Sequence, residues 1–325
     1  MEQDEFANRT DLQTVLKSAE KLRHEIGKVI IGQSEMIDLL LITILANGHA
    51  LIEGVPGVAK TLTAKLLSKS MDVAYKRVQF TPDLMPSDVI GTTVYYMHNN
   101  TFEFNRGPLF TNILFIDEIN RAPAKTQAAL FEVMQERQVT VDGKTYPMQP
   151  PFLVFATQNP VEHEGVYKLP EAQLDRFLFK IEVGYPSVEE EVKILKSHHQ
   201  RKEADEIEVI EKVFTREMII QLQKTVMNIH IESPLLSYIG EITTKTRNHP
   251  DIYLGASPRA SVNVLTASKA TAAISGRDFV TPEDIQYVLK PVLRHRIILT
   301  PEKEMEGGTI DQLIDSVIRN IEVPR

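Results

Sequence analysis

The stretch G-V-P-G-V-A-K-T, residues 54–61, decides the fold of this chain of 325 residues. It matches the phosphate-binding pattern G-x-x-x-x-G-K-[ST] at every fixed position but one, because Ala59 stands where the pattern has glycine. In such a loop, backbone N–H groups and the N-terminus of the following helix hold an anion, a lysine reaches the β and γ phosphates, and a hydroxyl binds Mg²⁺. Lys60 and Thr61 fit the last two roles. The stretch therefore predicts a nucleotide-binding loop, and the alternative is a plain Gly-Pro turn between a strand and a helix.

The alanine at position 59 is compatible with this prediction on one condition. If the residue enters the helix with ordinary helical φ, a methyl group is tolerated there, and alanine is the best helix former. The two glycines that need unusual backbone freedom, Gly54 and Gly57, are present. We therefore expect the loop to form without the third glycine.

Short apolar runs alternate with helical patterns around this loop. Residues 49–54 predict a buried strand that leads into it, and further buried strands are predicted at residues 75–80, 113–116 and 152–156. Helices are predicted at residues 12–26, 35–46 and 122–137. Strands that alternate with helices predict an α/β fold whose parallel sheet is covered on both faces.

Two insertions interrupt the alternation, and the pattern changes near Tyr185-Pro186. Residues 92–104, around Asn99-Asn100, and residues 138–148, with Asp142-Gly143, both predict hairpins. From residue 189 onward strand signals fade and helices dominate. We therefore predict two domains, an α/β nucleotide-binding core at residues 1–185 and a helical domain at residues 186–325.

A second motif ends one of the predicted strands. I-L-F-I-D-E, residues 113–118, is an apolar run followed by two carboxylates. Sheets of α/β proteins bind ligands at the carboxyl ends of their strands, so Asp117 is expected beside the loop, where it can hold Mg²⁺, partly through water. Glu118 can orient and deprotonate an attacking water. Alone, the motif is equally compatible with an ordinary strand end and solvated acids, but the two motifs together favour a nucleotide site.

Composition excludes several classes of function. The chain has no cysteine, which excludes disulfides, thiolate metal sites and a cysteine nucleophile. With 36 Lys and Arg against 44 Asp and Glu, the chain has a formal charge of -8 and lacks the basic excess of most nucleic-acid binders. Net charge does not exclude a local basic channel. The nine histidines show no ligand spacing, and His198-His199 fall in a polar helix. An acidic N-terminus and the lack of a run of roughly 18 apolar residues predict a cytoplasmic protein.

Five motifs together resemble those of one family. They are G-V-P-G-V-A-K-T, Q-F-T-P-D-L-M-P-S-D, F-I-D-E-I-N-R-A-P, A-T-Q-N-P and L-P-E-A-Q-L-D-R-F, and the resemblance covers almost the whole chain. On these residues the chain resembles AAA+ ATPases, specifically the MoxR group of the helix-2-insert clade, in which alanine before the lysine is the usual form. The resemblance implies a P-loop NTPase core followed by a small all-α lid, and a Mg²⁺-dependent enzyme that hydrolyses ATP. It also implies a ring oligomer, which we expect to be a hexamer.

The resemblance implies roles for residues that spacing alone leaves without one. Asn159 resembles the sensor that helps to position the attacking water, and its alternative is a turn-forming Asn-Pro. Arg176 resembles the arginine finger that is presented to a neighbouring subunit, and otherwise reads as a surface arginine at a helix end. Arg259 resembles the second sensor, in cis or in trans, and Gln79 is a candidate for turning Glu118 on or off. The candidate nucleotide-binding residues are Ile30, Ile31, Gly32 and Gln33, which resemble the adenine box, and Gly54, Val55, Pro56, Gly57, Val58, Ala59, Lys60, Thr61 and Leu62 of the loop.

The two predicted hairpins resemble inserts that project toward the central pore of a ring. Tyr95, Tyr96, Phe102 and Phe104 are then candidates for gripping a partner protein. The alternative is that these aromatic side chains only pack the hairpin.

Three functions are compatible with these residues. The leading hypothesis, implied by the resemblance, is chaperone-like remodelling or maturation of other proteins, often with partners that carry a von Willebrand factor A domain (VWA domain) and its metal-dependent adhesion site. The alternative is a DNA-associated motor or a restriction-type NTPase subunit, which the lack of a basic excess and of a recognisable DNA-binding domain disfavours. The third is a nucleotide-bound scaffold without catalysis, against which Lys60, Asp117, Glu118 and Arg176 argue.

Overall fold

A central parallel sheet and the helices around it build the protein in the computed structural model, which describes residues 12–98, 100–160, 166–201 and 209–324. The strands are β1 Ala50–Gly54, β2 Met71–Asp72, β3 Tyr75–Gln79, β4 Gly91–Tyr96, β5 Thr101–Arg106, β6 Ile113–Asp117, β7 Gln138–Val141, β8 Lys144–Pro147, β9 Leu153–Gln158, β10 Phe179–Val183, β11 Phe214–Thr215, β12 Ile252–Leu254 and β13 Ile298–Leu299. The helices are α1 Gln13–Gly27, α2 Ser34–Leu45, α3 Lys60–Lys69, α4 Pro86–Ile90, α5 Ala124–Glu136, α6 Glu171–Leu174, α7 Val188–Arg201, α8 Arg216–Met227, α9 Ser233–Arg247, α10 Pro258–Ile274, α11 Pro282–Leu293, α12 Pro301–Met305 and α13 Ile310–Arg319.

The central sheet has the strand order β10-β1-β9-β6-β3, and every neighbouring pair is parallel. The strands predicted from apolar runs, β1, β3, β6 and β9, are all present close to their predicted bounds. The predicted α/β fold is therefore confirmed. Strand β10 was not predicted, because this edge strand fully buries only alternate residues and so has no continuous apolar run.

Alternate residues of the inner strands point into two apolar cores. On β6, Ile113 and Phe115 join the core that includes α1, α2 and the later helices, whereas Leu114 and Ile116 join the core built with α5. Strand β9 divides its residues between the two cores in the same way. Since successive side chains of a strand point to opposite faces, burial of both faces explains why these runs are continuously apolar.

Helices dominate after β10, with the short antiparallel ribbon of β12 and β13 among them. Apolar residues of these helices, such as Ile239, Leu289 and Ile314, join the same core as one face of the sheet. The predicted helical lid is confirmed. Because one continuous core spans residues on both sides of Tyr185-Pro186, the domain boundary at this point stays a prediction from sequence.

The two predicted hairpins are present, as β4 with β5 and as β7 with β8, although Asn99 at the first turn lies outside the described residues. The hairpins contact each other, since the ring centroids of Phe104 on β5 and Tyr146 on β8 lie 4.9 Å apart. Phe104 is thus a packing residue. Tyr95 and Phe102 contact each other and remain 42% and 73% exposed, so a partner can reach both side chains.

Candidate active site

The loop between β1 and α3 contains two residues with left-handed backbone. Gly57 has φ 87°, and an added Cβ at this position would meet no described atom within 4 Å. Ala59 has φ 60° and ψ 19°, so the expectation that it enters the helix with ordinary helical φ is wrong. The chain turns through a left-handed residue before α3 begins at Lys60, a conformation that glycine adopts freely. For alanine it costs roughly 1–2 kcal/mol, which the surrounding fold has to offset.

Gly54 is needed for a different reason from the one expected. It is the last residue of β1 and pairs with Val183 of β10 in the parallel ladder. An added Cβ would lie 2.6 Å from the backbone oxygen of Val183, far inside van der Waals contact. The glycine therefore permits the close approach of two strands at the point where the loop begins.

Lys60 begins α3, and its side chain folds back over the loop. Its Nζ donates to the carbonyl oxygens of Gly54 and, at 3.3 Å, of Val55. The ammonium group is thereby held inside the curve of the loop, where a phosphate bound at the N-terminus of α3 would meet it. The contact of Lys60 with a phosphate stays a prediction.

Asp117 ends β6 and is buried. Its Oδ1 accepts a hydrogen bond from the Thr61 hydroxyl at 3.0 Å and lies 3.4 Å from the Thr157 hydroxyl, while its Oδ2 accepts from Arg77 Nε at 2.6 Å. The two residues predicted as metal ligands, Thr61 and Asp117, are therefore neighbours. A hydroxyl and a carboxylate are oxygen ligands of the kind that Mg²⁺ takes together with waters and substrate phosphates, so these residues fit a magnesium site.

Glu118 leaves the sheet in a backbone conformation that is rare for this residue type. Its φ of 55° and ψ of 56° are left-handed, and its N–H donates to Thr157 Oγ1 at 3.0 Å. Its Oε2 accepts from Gln79 Nε2 at 2.7 Å and pairs with Arg121 Nε at 3.0 Å. Left-handed residues other than glycine cluster at functional sites, where the surrounding structure holds them. The candidate general base is thus held by two donors, one of which is the Gln79 expected to act on it.

These groups surround one cavity of about 480 Å³. Asn159, the predicted sensor, directly follows β9 and lines the cavity as a buried residue. Sequence reasoning missed Arg77, Thr157 and Gln158, although their positions near the carboxyl ends of β3 and β9 were a usable signal, because these strand ends meet at one edge of a parallel sheet. The cavity is lined by residues 56–62 of the loop and by Arg77, Gln79, Asp117, Glu118, Thr157, Gln158 and Asn159.

The candidate adenine-box residues lie outside this cavity. Ile30 is buried in the apolar core, Ile31 is half-buried, and Gly32 is exposed with φ 80°. Gln33 Nε2 donates to the carbonyl oxygen of Gly184 at 3.4 Å. The segment therefore lies against the connection between β10 and α7, and its contact with a base stays a prediction.

Arg176 and Arg259 line a different cavity, of about 280 Å³, together with Asp175. The Arg176 guanidinium lies 6.0 Å from the centroid of the Phe131 ring, and its buried Nε has no hydrogen-bond partner among the described residues. Burial, and then the charge of Arg259, lower the pKa of Arg176. The Arg259 side chain is 46% exposed and lies 3.6 Å from the Asp175 carboxylate. Both predicted arginines therefore stand apart from the cavity of their own phosphate loop.

Across the described ranges, no group of three or more His, Cys, Asp or Glu side chains is arranged to hold a metal ion. His198-His199 lie in α7, the polar helix predicted for them. None of the helices described here is both long and apolar enough to cross a membrane.

Known proteins are similar to this chain over almost its whole length. Residues 49–179 match the ATPase family associated with various cellular activities (AAA), and residues 244–317 match the AAA lid domain. Chaperone MoxR1 of Mycobacterium tuberculosis is 41% identical over 94% of this chain and 82% of its own length, and Protein MoxR of Methylorubrum extorquens is 32% identical over 94% and 95%. A crystal structure from Cytophaga hutchinsonii, of a protein named as a candidate ATPase, is similar with a TM-score of 0.87 at 42% identity, covering 96% of this chain and 98% of that one. The chain belongs to the MoxR group of AAA+ ATPases.

Proposed function

We propose that the protein is a Mg²⁺-dependent enzyme that hydrolyses ATP to ADP and phosphate. The observation that carries this proposal is the meeting of Lys60, Thr61, Asp117 and Glu118 around one cavity of about 480 Å³. A phosphate loop alone supports nucleotide binding. A carboxylate beside it that can take a proton from water supports hydrolysis as well.

Each side chain has a separate task in this proposal. Lys60 binds the β and γ phosphates as a point charge. Thr61 and Asp117 would hold Mg²⁺, which would neutralise charge that develops on the phosphate oxygens. Glu118 accepts the proton of the attacking water. The side-chain amide N–H of Asn159 donates a hydrogen bond to the same water, and residues 30–33 contact the adenine base.

We propose that the active form is a ring, expected to be a hexamer, in which Arg176 reaches the nucleotide of the next subunit. Arg176 supports this arrangement because it lines a cavity separate from its own phosphate loop. Its buried Nε is also without a hydrogen-bond partner in the described part of the chain, and a buried polar atom left without such a partner is costly. A phosphate group from a neighbouring subunit would complete its hydrogen bonding. Arg259 lies beside Arg176, and we propose that it also acts in trans.

We propose chaperone-like remodelling or maturation of partner proteins as the task, with VWA-domain proteins among the partners. Two relatives that cover most of the chain carry the MoxR name and one of them is named a chaperone, which favours this task over a DNA motor. The exposed pair Tyr95 and Phe102 is the proposed contact to a client. An enzyme that consumes ATP needs the nucleotide pool of the cytoplasm, so we propose that location.

Mixed rings test the proposal. Lys60→Ala removes the phosphate contact and is expected to abolish ATP binding and hydrolysis. Arg176→Ala is expected to bind ATP normally and to hydrolyse it about 10³ to 10⁵ times more slowly, because a finger stabilises the transferring phosphoryl group. In a mixed ring, the intact loop of an Arg176→Ala subunit meets the intact finger of a Lys60→Ala subunit, so part of the activity returns.

A second mixture is the matched control. A Lys60→Ala subunit and a Glu118→Gln subunit each lack a group that acts in the nucleotide site of the same subunit. Their mixed rings therefore contain no complete site and are expected to stay inactive. Failure of the first mixture to recover, after co-assembly is verified, would contradict an arginine finger that acts in trans. Recovery of the control mixture would show that Glu118 is supplied across the interface instead.

A further inference from the structure

The segment that carries Arg176 is held by the turn between α11 and β13. The side chain of Arg296 in this turn is 1% exposed, and its Nε donates to Asp175 Oδ1 at 2.7 Å. Its Nη2 donates to the backbone oxygen of Asp175 at 3.0 Å and to that of Phe177. Arg176 therefore stands between two backbone carbonyls that one buried guanidinium holds.

The other contacts of this turn reach the same segment and the end of α11. Arg296 Nη1 donates to the backbone oxygen of Leu178 at 3.3 Å and to that of Val292. The neighbouring His295 also reaches the backbone oxygen of Phe177 through Nε2, at 3.1 Å. Residues 175–178 are thus fastened to the lid through one planar group and one imidazole.

Arg296 is an unusual choice for so buried a position. Burial lowers its pKa to about 10, although the hydrogen bond to Asp175 opposes this, so the guanidinium stays charged at neutral pH. A buried ion pair is often no more stabilising than well-packed apolar side chains, so stability alone does not account for the arginine. What a guanidinium does supply is five N–H donors in a rigid plane, which fixes the geometry of its acceptors.

Asp175 is also held by the start of helix α10. Its carboxylate oxygens accept from Ser257 Oγ at 3.3 and 3.4 Å, and Arg259 Nη1 lies 3.6 Å away. Two separate parts of the lid, the start of α10 and the turn after α11, therefore meet at the residue that precedes Arg176. A shift of the lid relative to the sheet would therefore act on this residue through direct hydrogen bonds.

We propose that Arg296 is a positioning residue for hydrolysis in the neighbouring subunit, because it fixes the backbone on both sides of Arg176 and so makes the placement of the finger follow the placement of the lid. The inference rests on the proposed function of Arg176. A displacement of about 1 Å in a catalytic arrangement costs about 10²-fold in rate, so the finger can fail while its own side chain is intact.

The test replaces Arg296 with lysine, which keeps the positive charge but lacks the planar guanidinium. A lysine ammonium group cannot bind the Asp175 carboxylate and the flanking carbonyls at the same time. Arg294→Lys is the matched control, because Arg294 lies in the same turn, is 12% exposed, and pairs with Asp311 and Glu182. Arg296→Gln is made as a second variant, since a neutral amide buries no charge if lysine proves destabilising.

Both Arg296 variants are expected to melt at a lower temperature than Arg294→Lys, because each loses buried hydrogen bonds, but to stay folded and to bind ATP at the assay temperature, where kcat in their uniform rings falls about 10²-fold. Mixing with Lys60→Ala subunits is expected to restore activity, because each Arg296 variant then receives a correctly placed finger from its neighbour. Mixing with Arg176→Ala subunits is expected to restore none, since neither partner offers a working finger. A residue that merely supports its own nucleotide site would not show this difference.

Three results would overturn the inference while leaving the proposed function intact. The first is a kcat equal to that of Arg294→Lys. The second is a defect that Lys60→Ala subunits fail to repair although they repair Arg176→Ala. The third is unfolding of both Arg296 variants, which would make Arg296 a structural residue. If Lys60→Ala subunits fail to repair Arg176→Ala itself, the proposed role of Arg176 in the neighbouring site is refuted. The inference about Arg296 is then refuted as well.

Discussion

Replacing Arg77 with glutamine is expected to let Asp117 bind Mg²⁺ at a lower concentration of the ion. Arg77 Nε donates to Asp117 Oδ2 at 2.6 Å, so this cation competes with Mg²⁺ for the same carboxylate. The Arg77 side chain is 53% exposed and the Asp117 side chain 7%, and an ion pair with one half-exposed partner contributes about 1 kcal/mol. Since about 1.4 kcal/mol corresponds to a factor of ten, the half-saturating Mg²⁺ concentration is expected to fall by up to about fivefold.

The measurement is a calorimetric titration of Mg²⁺ into protein saturated with ADP. Lys76→Gln is the matched control, because it removes the same charge from the neighbouring residue of β3, whose Nζ reaches the Gly107 carbonyl at 3.5 Å. Comparing the two variants separates the pair with Asp117 from the general effect of net charge. A half-saturating Mg²⁺ concentration for Arg77→Gln that equals or exceeds that for Lys76→Gln would refute the competition.

Three further predictions concern catalysis, the loop and pH. Glu118→Gln is expected to bind ATP and fail to hydrolyse it, since an amide cannot accept the proton of water, and undiminished turnover would remove Glu118 from the mechanism. Gly54→Ala is expected to lower the free energy of unfolding by about 1–3 kcal/mol, because the new Cβ would lie 2.6 Å from the Val183 oxygen. The loss is expected to be smaller for Gly57→Ala, in which the φ of 87° is the only source of strain. Equal losses in urea denaturation would contradict this ranking. Burial lowers the pKa of His49 from 6.5 to about 3. Below pH 6.5 the unfolded chain therefore takes up a proton at this residue that the folded chain does not. As the pH falls from 6.5 towards 3, this difference lowers the free energy of unfolding by about 1.4 kcal/mol per pH unit. Urea denaturation at about pH 7 and pH 5 is expected to show a smaller fall for His49→Asn than for the original chain, and an identical fall would contradict the assignment.

Local patterns in the sequence determine the loop and the strands that carry the site. Strands β1, β6 and β9 were predictable because they lie inside the parallel sheet, where apolar runs are short and continuous. Strand β3 was predicted at the right place, but it is an edge strand without a buried residue, so its prediction as a buried strand was wrong. Asp117 ends β6, and Glu118 and Asn159 directly follow β6 and β9, so their meeting at one edge of the sheet was predictable. Lys60 and Thr61 were predicted from a pattern of eight consecutive residues.

Conformation and contacts that depend on distant residues were not predictable in the same way. The left-handed backbone of Ala59 belongs to the loop as it is held between β1 and α3, whereas residue preference alone favoured a helical φ. The need for glycine at position 54 comes from Val183, on a strand that lies far away in the chain. The bond between Arg77 and Asp117 depends on how β3 and β6 are aligned in the sheet, which the position of Arg77 near a strand end does not specify.

The bond between Arg296 and Asp175 is the clearest case of a feature that only the tertiary structure decided, since the two residues are 121 positions apart. Neither residue stands in a pattern that names the other. Hydrophobic period and turn chemistry act over a few residues, and so the sequence by itself determined which segments form strands, helices and the phosphate loop. The packing of the lid helices and β10 into one continuous core decides which side chains meet across the molecule. This packing fixes the distance and direction between the buried Arg296 guanidinium and its acceptors.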